Sequence, residues 1–255
     1  MAAGYIIGCF ISILLWKLDR RRLLEGFNGY LNKLTKASKY IEAIYLSIIL
    51  IIIIILFFFK NNEIANAVTA FLVIDISNTE RKNLNIKDKT HFYDSISLIS
   101  KALVSGFIAP LLYILLFGNG FGIAYMILYN LSNIGEYKII RTLSNILTII
   151  PAALAQLLLY LVYLLRNKKI SVDFKGDYFR NFIRRPMLNI DIFGAYIESV
   201  NFYYYFNDDG VHYVKSYGEY GKKIDITCIK DYLSITYALA MVYFISFFIL
   251  IRLLY

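Results

Sequence analysis

From Ala43 to Phe59 the chain is almost unbroken isoleucine, leucine and phenylalanine, with no charged side chain. With its flanks this run supplies the ~20 apolar residues needed to cross a hydrocarbon core of about 30 Å. A segment in lipid must satisfy its own backbone hydrogen bonds, so helix is the element to expect here and in every similar run. Such runs recur along the chain. Hydrophobic residues make up 59% of it, against roughly 45–50% in a soluble domain. The 23 tyrosines outnumber the single tryptophan, and a ring with a polar tip suits the membrane–water interface.

Taken in order, the runs predict an all-α polytopic membrane protein with about six transmembrane helices and a polar loop domain before the last one. The expected crossings are 2–16, 43–59, 96–117, 120–135, 145–165 and 232–254, giving a membrane domain over 1–165, a polar segment over 166–231 and a last helix over 232–255. In the first run the charges K-L-D-R-R-R follow the apolar core, which reads as a retained anchor and not a cleaved signal. The run 64–76 carries Asn66 and Asp75 and is too short to cross comfortably, so it predicts an interfacial or re-entrant helix. The stretch 77–90 has no hydrophobic period and reads as a solvated loop.

The centre of the chain, Ser105 to Ala152, places small, polar and helix-breaking residues inside apolar runs, where each must pack against protein or line a cavity. Pro110 and Pro151 each remove a helical hydrogen bond, and Gly106 permits close approach of a neighbour. These three, with Pro186 further on, are expected to be structural. Gly118, Gly120 and Gly122 are expected to form a tight connection. Glu136, Lys138 and Arg141 fall within two helical turns beside Tyr137, a set that either grips a phosphate or carboxylate or forms a surface ion pair. Lys101 either positions its helix or faces a pocket.

The segment 166–231 has eleven basic and nine acidic residues and includes Asp177, the pair Arg184–Arg185, Pro186, Asn189 and Asp191. Alternation around V-N-F-Y-Y-Y-F-N-D-D-G-V-H-Y-V (Val200–Val214) predicts a short hairpin turning at D-D-G. The loop 17–39 carries seven basic and two acidic residues, whereas 60–95 has five of each. With six crossings, the excess of basic residues puts 17–39 and 166–231 in the cytoplasm of a multi-pass cell-membrane protein. The net charge of +9 is spread over membrane-flanking loops, so anionic lipid is the expected partner and nucleic acid is not. Two cysteines, Cys9 and Cys228, give no disulfide framework or metal-ligand spacing.

Three segments carry a resemblance to a known family. S-G-F-I-A-P-L-L-Y (Ser105–Tyr113), A-Y-M-I-L-Y-N-L-S-N-I-G-E-Y (Ala124–Tyr137) and I-P-A (Ile150–Ala152) resemble, in order and approximate spacing, motifs of the CobD/CbiB family of cobalamin-biosynthesis membrane proteins. The shared positions are Gly106, Ala109, Pro110 and Tyr113, then Ala124, Tyr125, Leu131 and Tyr137, then Ile150, Pro151 and Ala152. Pro186, Asn189, Gly194 and Ala195 are compatible with a fourth motif, with Arg185 where the family has histidine. The family's E-N-x-x-D falls on Lys101, Ala102 and Ser105 here, and its Asn, Asp and Gly on Tyr129, Ser132 and Glu136.

The resemblance implies an adenosylcobinamide-phosphate synthase-like ligase. Its substrates would be the corrinoid cobyric acid and aminopropanol or its phosphate, joined by an amide bond with ATP and Mg²⁺ as cofactors, and other cobalamin-biosynthesis proteins are possible partners. Arg184, Arg185, Asn189, Tyr137, Lys138 and Arg141 are then candidates for substrate binding, and Glu136, Asp177 and Asp191 for catalysis. A non-catalytic membrane scaffold or sensor related to the same family is the alternative.

Overall fold

A computed structural model describes residues 3–15, 18, 20–34, 38–59, 62–75, 90–135, 137–208, 210–222 and 224–254. The fold is mostly helical, and four of its helices are long and apolar enough to cross a membrane: Lys39–Phe58, Tyr93–Phe117, Lys138–Asn167 and Ile226–Leu254. Protein covers 67% of the second, against 22% of the first and 11% of the last, which therefore present most of their surface outward. The chain divides into two compact units: Met1–Asn78 with Val104–Thr148 and Met241–Tyr255, and Thr79–Leu103 with Ile149–Ala240.

In the first unit the short helices α1 (Ala3–Leu14) and α4 (Glu63–Val73) pack through small residues. Gly4, Gly8 and Ser12 lie four apart on one face of α1. A Cβ on Gly4 would collide with the Glu63 carbonyl, and one on Gly8 with that of Ala67. Backbones this close let polar groups meet: the Gly4 amide donates to Glu63 Oε2 at 2.6 Å, and the Ser12 hydroxyl donates to the Ile74 carbonyl. At twelve and eleven residues, the two helices run only about 17–18 Å at 1.5 Å per residue. Asn62 caps α4, its Oδ1 accepting from the Ile64 amide at 2.8 Å.

Helix α5 (Thr90–Leu103) continues through a π-helical turn (Val104–Ile108) into α6 (Ala109–Phe117), and α7 (Asn119–Ile134) doubles back after one residue. That residue is Gly118, at φ +92°, a conformation that glycine adopts without steric cost. Only Gly118 of the three expected connection glycines lies in the turn. Gly120 and Gly122 sit inside α7, where added Cβ atoms would meet Ile53 Cα at 2.8 Å and the Ile114 side chain at 2.5 Å, so close packing is the reason for glycine at both. Ile53 belongs to α3 (Ser38–Phe58). Asn119 ties three helices together. It accepts from the Tyr5 hydroxyl at 2.8 Å and donates to Asn66 Oδ1 at 2.7 Å, all buried.

The two interior prolines are each compensated. Pro110 offers no amide to the Gly106 carbonyl one turn earlier, and that carbonyl accepts from the Asp75 amide at 3.3 Å. In α8 (Lys138–Asn167) Pro151 likewise leaves the Leu147 carbonyl without its helical donor, and the Tyr113 hydroxyl donates there at 2.6 Å. The start of α8 is satisfied by buried Glu42, whose Oε1 accepts the Ile139 amide at 3.1 Å. Helix α2 (Arg20–Leu34) supplies Asn28, which accepts the Tyr137 hydroxyl at 2.5 Å.

In the second unit the polar segment is a folded structure. Helix α9 (Tyr178–Arg184) leads into α10 (Pro186–Glu198), which starts with proline at its first turn, where the missing amide costs nothing. Every residue of α10 except Met187 is buried. Gly194 makes room for the Tyr232 ring, 2.9 Å from where a Cβ would stand. Strands β1 (Asn201–Asp208) and β2 (Val211–Gly218) form the expected hairpin, paired antiparallel from Asn201↔Gly218 to Asp208↔Val211. Its buried face carries Phe202, Phe206 and Tyr217, and Tyr203, Tyr205 and Val214 are exposed. Helix α11 (Ile226–Leu254) begins six residues earlier than its apolar run because Asp225 accepts the Thr227 and Cys228 amides as a cap.

Candidate functional site

Helix α10 carries three polar side chains into the interior of the second unit: Asn189, Asp191 and Glu198. Asp191 and Glu198, two turns apart, share one face of the helix. Asn189 is fully buried. Its Nδ2 donates to the Tyr178 carbonyl at 3.1 Å, fixing α9 to α10, and its Oδ1 has no partner among the described residues.

Asp191 sits beside α5. Burial pushes its carboxyl from the ordinary 3.8 up to about 7, opposed by the Ser100 hydroxyl, the Lys101 charge and the Ser97 hydroxyl. Ser100 also pairs with the Tyr232 hydroxyl at 3.0 Å. The result is a buried carboxyl that changes charge near neutral pH, its Oδ1 without a hydrogen-bond partner among the described residues. Such a group can accept or release one proton without another strong base close by. Lys101 itself is exposed.

Glu198 is 1% exposed and pairs with Arg166 at 3.2 Å, and Arg166 also reaches Asp231 at 2.6 Å. Burial raises this carboxyl too, to about 7, with Arg166 opposing and Asp231 reinforcing. The sequence reading missed Glu198. Its signal was present as a carboxylate seven residues after Asp191 on one helix, facing an arginine that ends an apolar run.

The other residues singled out from sequence fall in varied settings. Asp177 is held by strand β2, accepting from Lys215 Nζ and from the Tyr217 hydroxyl at 3.0 Å. Arg184 is exposed, whereas Arg185 is partly buried with its guanidinium 5.1 Å from the Phe206 ring centre, so the pair does not act as one double clamp. In the first unit Tyr137 is buried on Asn28, while Lys138 and Arg141 are exposed on the first turns of α8, which begins before the expected connection ends. Glu136 lies outside the described residues.

No protein-family model matches the chain, and no curated protein or solved structure matches it either. Among the described residues no three of His, Cys, Asp and Glu gather as metal ligands. Asp177 and Glu198 are engaged by cations, and Asp191 is a buried carboxyl with no metal-binding cluster gathered beside it among the described residues. This donor set does not build a Mg²⁺ site.

Proposed function

We propose that this is a multi-pass cell-membrane protein of cobamide assembly, joining the carboxyl of cobyric acid to the amine of aminopropanol or its phosphate. The observation that carries the reading is a link between two of the resembling motifs. Tyr113, from the first, donates to the carbonyl that Pro151, from the third, leaves without a donor. Residues that resemble a family in separate places in the sequence thus depend on each other in space.

In this reading the chain makes six crossings, with 166–231 on the cytoplasmic side, its α10 seated against α8 through the Gln156–Pro186 contact and its polar surface open to a nucleotide. ATP and Mg²⁺ are what the resemblance implies: ATP would activate the carboxyl, and the departing oxygen would leave as phosphate when the amine forms the amide. Arg184, exposed next to Pro186, takes the phosphate or carboxylate of a substrate, and Arg185 stiffens that corner by stacking on Phe206. Asp191 accepts the proton that the substrate ammonium must lose before it attacks. A strain lacking the gene tests this. Corrinoid-dependent growth should return with cobinamide and not with cobyric acid, and rescue by cobyric acid would remove the assignment.

A second reading, a non-catalytic scaffold for other cobalamin-biosynthesis proteins, is favoured by one observation: Asp177 and Glu198 are already engaged in ion pairs. It predicts that Asp191→Asn leaves corrinoid-dependent growth intact.

A further inference from the structure

We infer that a cavity in the second unit binds a single-chain amphiphile drawn from the bilayer, with its hydrocarbon chain among aromatic rings and its hydroxyl on Gln156. The cavity holds about 400 Å³, and Gln156, Tyr160, Phe174, Tyr178, Phe182 and Phe193 are among its walls. Small-molecule sites typically enclose roughly 300–1,000 Å³ behind mostly apolar walls with a few placed polar groups. This site is independent of the corrinoid reading.

The walls are already set. Phe174 meets Tyr178 and Phe193 edge-on at 4.8 and 5.3 Å, and Tyr160 meets Phe193 at 6.2 Å. The remaining wall is one stripe of α8, with Ala153, Gln156, Leu157 and Tyr160 at helical spacing. Because α8 is long and apolar enough to span, and Leu157 and Leu161 on this flank are 56% and 49% exposed, the molecules that meet the mouth are lipids. Phe179 and Ile183 on α9 add further exposed apolar surface.

The polar group decides the chemistry of the head. Gln156 is 3% exposed; its Nε2 donates to the Pro186 carbonyl at 3.4 Å, and its Oε1 accepts nothing from the described residues. An acceptor in an apolar cavity calls for a donor. No charged side chain lines the walls to compensate an ammonium, so a neutral hydroxyl is the donor that fits. The Tyr160 hydroxyl does not fill this role, since it donates to the Ile170 carbonyl at 3.0 Å.

The test uses the full-length protein in phospholipid vesicles and two probes, a sixteen-carbon alcohol with a diazirine in its chain and the methyl ether of the same molecule. The alcohol should label peptides from 153–160 and 172–182, compete with unlabelled hexadecanol, and exceed the ether by about five- to tenfold, the worth of one neutral hydrogen bond. Gln156→Leu should erase that preference, and Ala153→Trp, which fills the space, should lower labelling by both probes. Melting in detergent checks that each variant is folded. Equal labelling of the parent by alcohol and ether, or labelling spread over all lipid-facing helices, overturns the proposal without needing either variant.

Discussion

The Tyr113 hydroxyl donates to the Leu147 carbonyl at 2.6 Å, in the place of the amide that Pro151 lacks. Leaving this half-buried carbonyl without a donor costs about 1 kcal/mol, so Tyr113→Phe should lower the melting temperature in detergent. Pro151→Ala restores a backbone donor, and in that background the loss of the hydroxyl should matter much less. A double-mutant cycle by thermal unfolding measures the coupling, and additive effects would mean the hydroxyl does not serve that carbonyl.

Gly106 is set against the Asp75 carbonyl oxygen, 2.9 Å from where its Cβ would stand. Gly106→Leu should therefore reduce folded protein, with overpacking costing about 1–3 kcal/mol or more. Yield of monodisperse protein in detergent reads this directly. Full yield with selective loss of the proposed activity would instead make Gly106 part of a ligand site.

The Asp191 carboxyl titrates near 7 in the fold and near 3.8 when unfolded. Between those values the folded state holds the extra proton, so stability is full below the lower value and falls as pH rises through about 7. Glu198, raised to about 7, acts in the same direction. Melting temperature should thus drop from pH 5 to pH 8. Asp191→Asn should flatten that slope and leave the part due to Glu198, and an unchanged slope would show that Asp191 is ionised throughout.

Arg184 and Arg185 should separate by what they affect. Arg185→Ala removes the contact with Phe206 and should cost about 0.5–2 kcal/mol of stability. Arg184→Ala, at an exposed position, should leave melting within about 0.5 kcal/mol of the parent; under the proposed ligase reading it should also lower cobinamide formation by roughly tenfold. Equal cobinamide formation by membranes carrying Arg184→Ala and by the parent would make Arg184 a surface anchor only.

Crossing number is open to a direct experiment, since six crossings put 17–39 and 166–231 on the same side and four put them on opposite sides. Gly29, whose Cβ would meet nothing within 4 Å, and exposed Ser171 are suitable for replacement by cysteine. With six crossings, both Gly29→Cys and Ser171→Cys should resist an impermeant thiol reagent in intact cells. Reaction of one alone would reduce the count.

The long crossings and the hairpin were legible because each follows a period: uninterrupted apolar residues for the first, alternation around D-D-G for the second. The α1–α4 pairing was not read, although Gly4, Gly8 and Ser12 announce it, because a small residue every fourth position says that something approaches without saying what. Burial of α10 was hidden for a different reason. Asn189, Asp191 and Glu198 make it look solvated, and only tertiary partners such as Tyr178, Ser100 and Arg166 reconcile those groups with an interior. Tyr137 was picked as a substrate residue for its place in a motif, while its hydroxyl lies on Asn28, 109 positions away and beyond the reach of local spacing.

The single-residue reversal at Gly118 also bears on how the chain is made. Helix α7 has only sixteen residues and carries Asn119, Asn130, Ser132 and Asn133, a poor candidate for entering lipid alone. Tied to α6 by one glycine and packed along it, it is placed to share lipid exposure with that helix. In the six-crossing reading α6 and α7 are therefore one hairpin that enters the bilayer together, the polar side chains of α7 shielded by its partner.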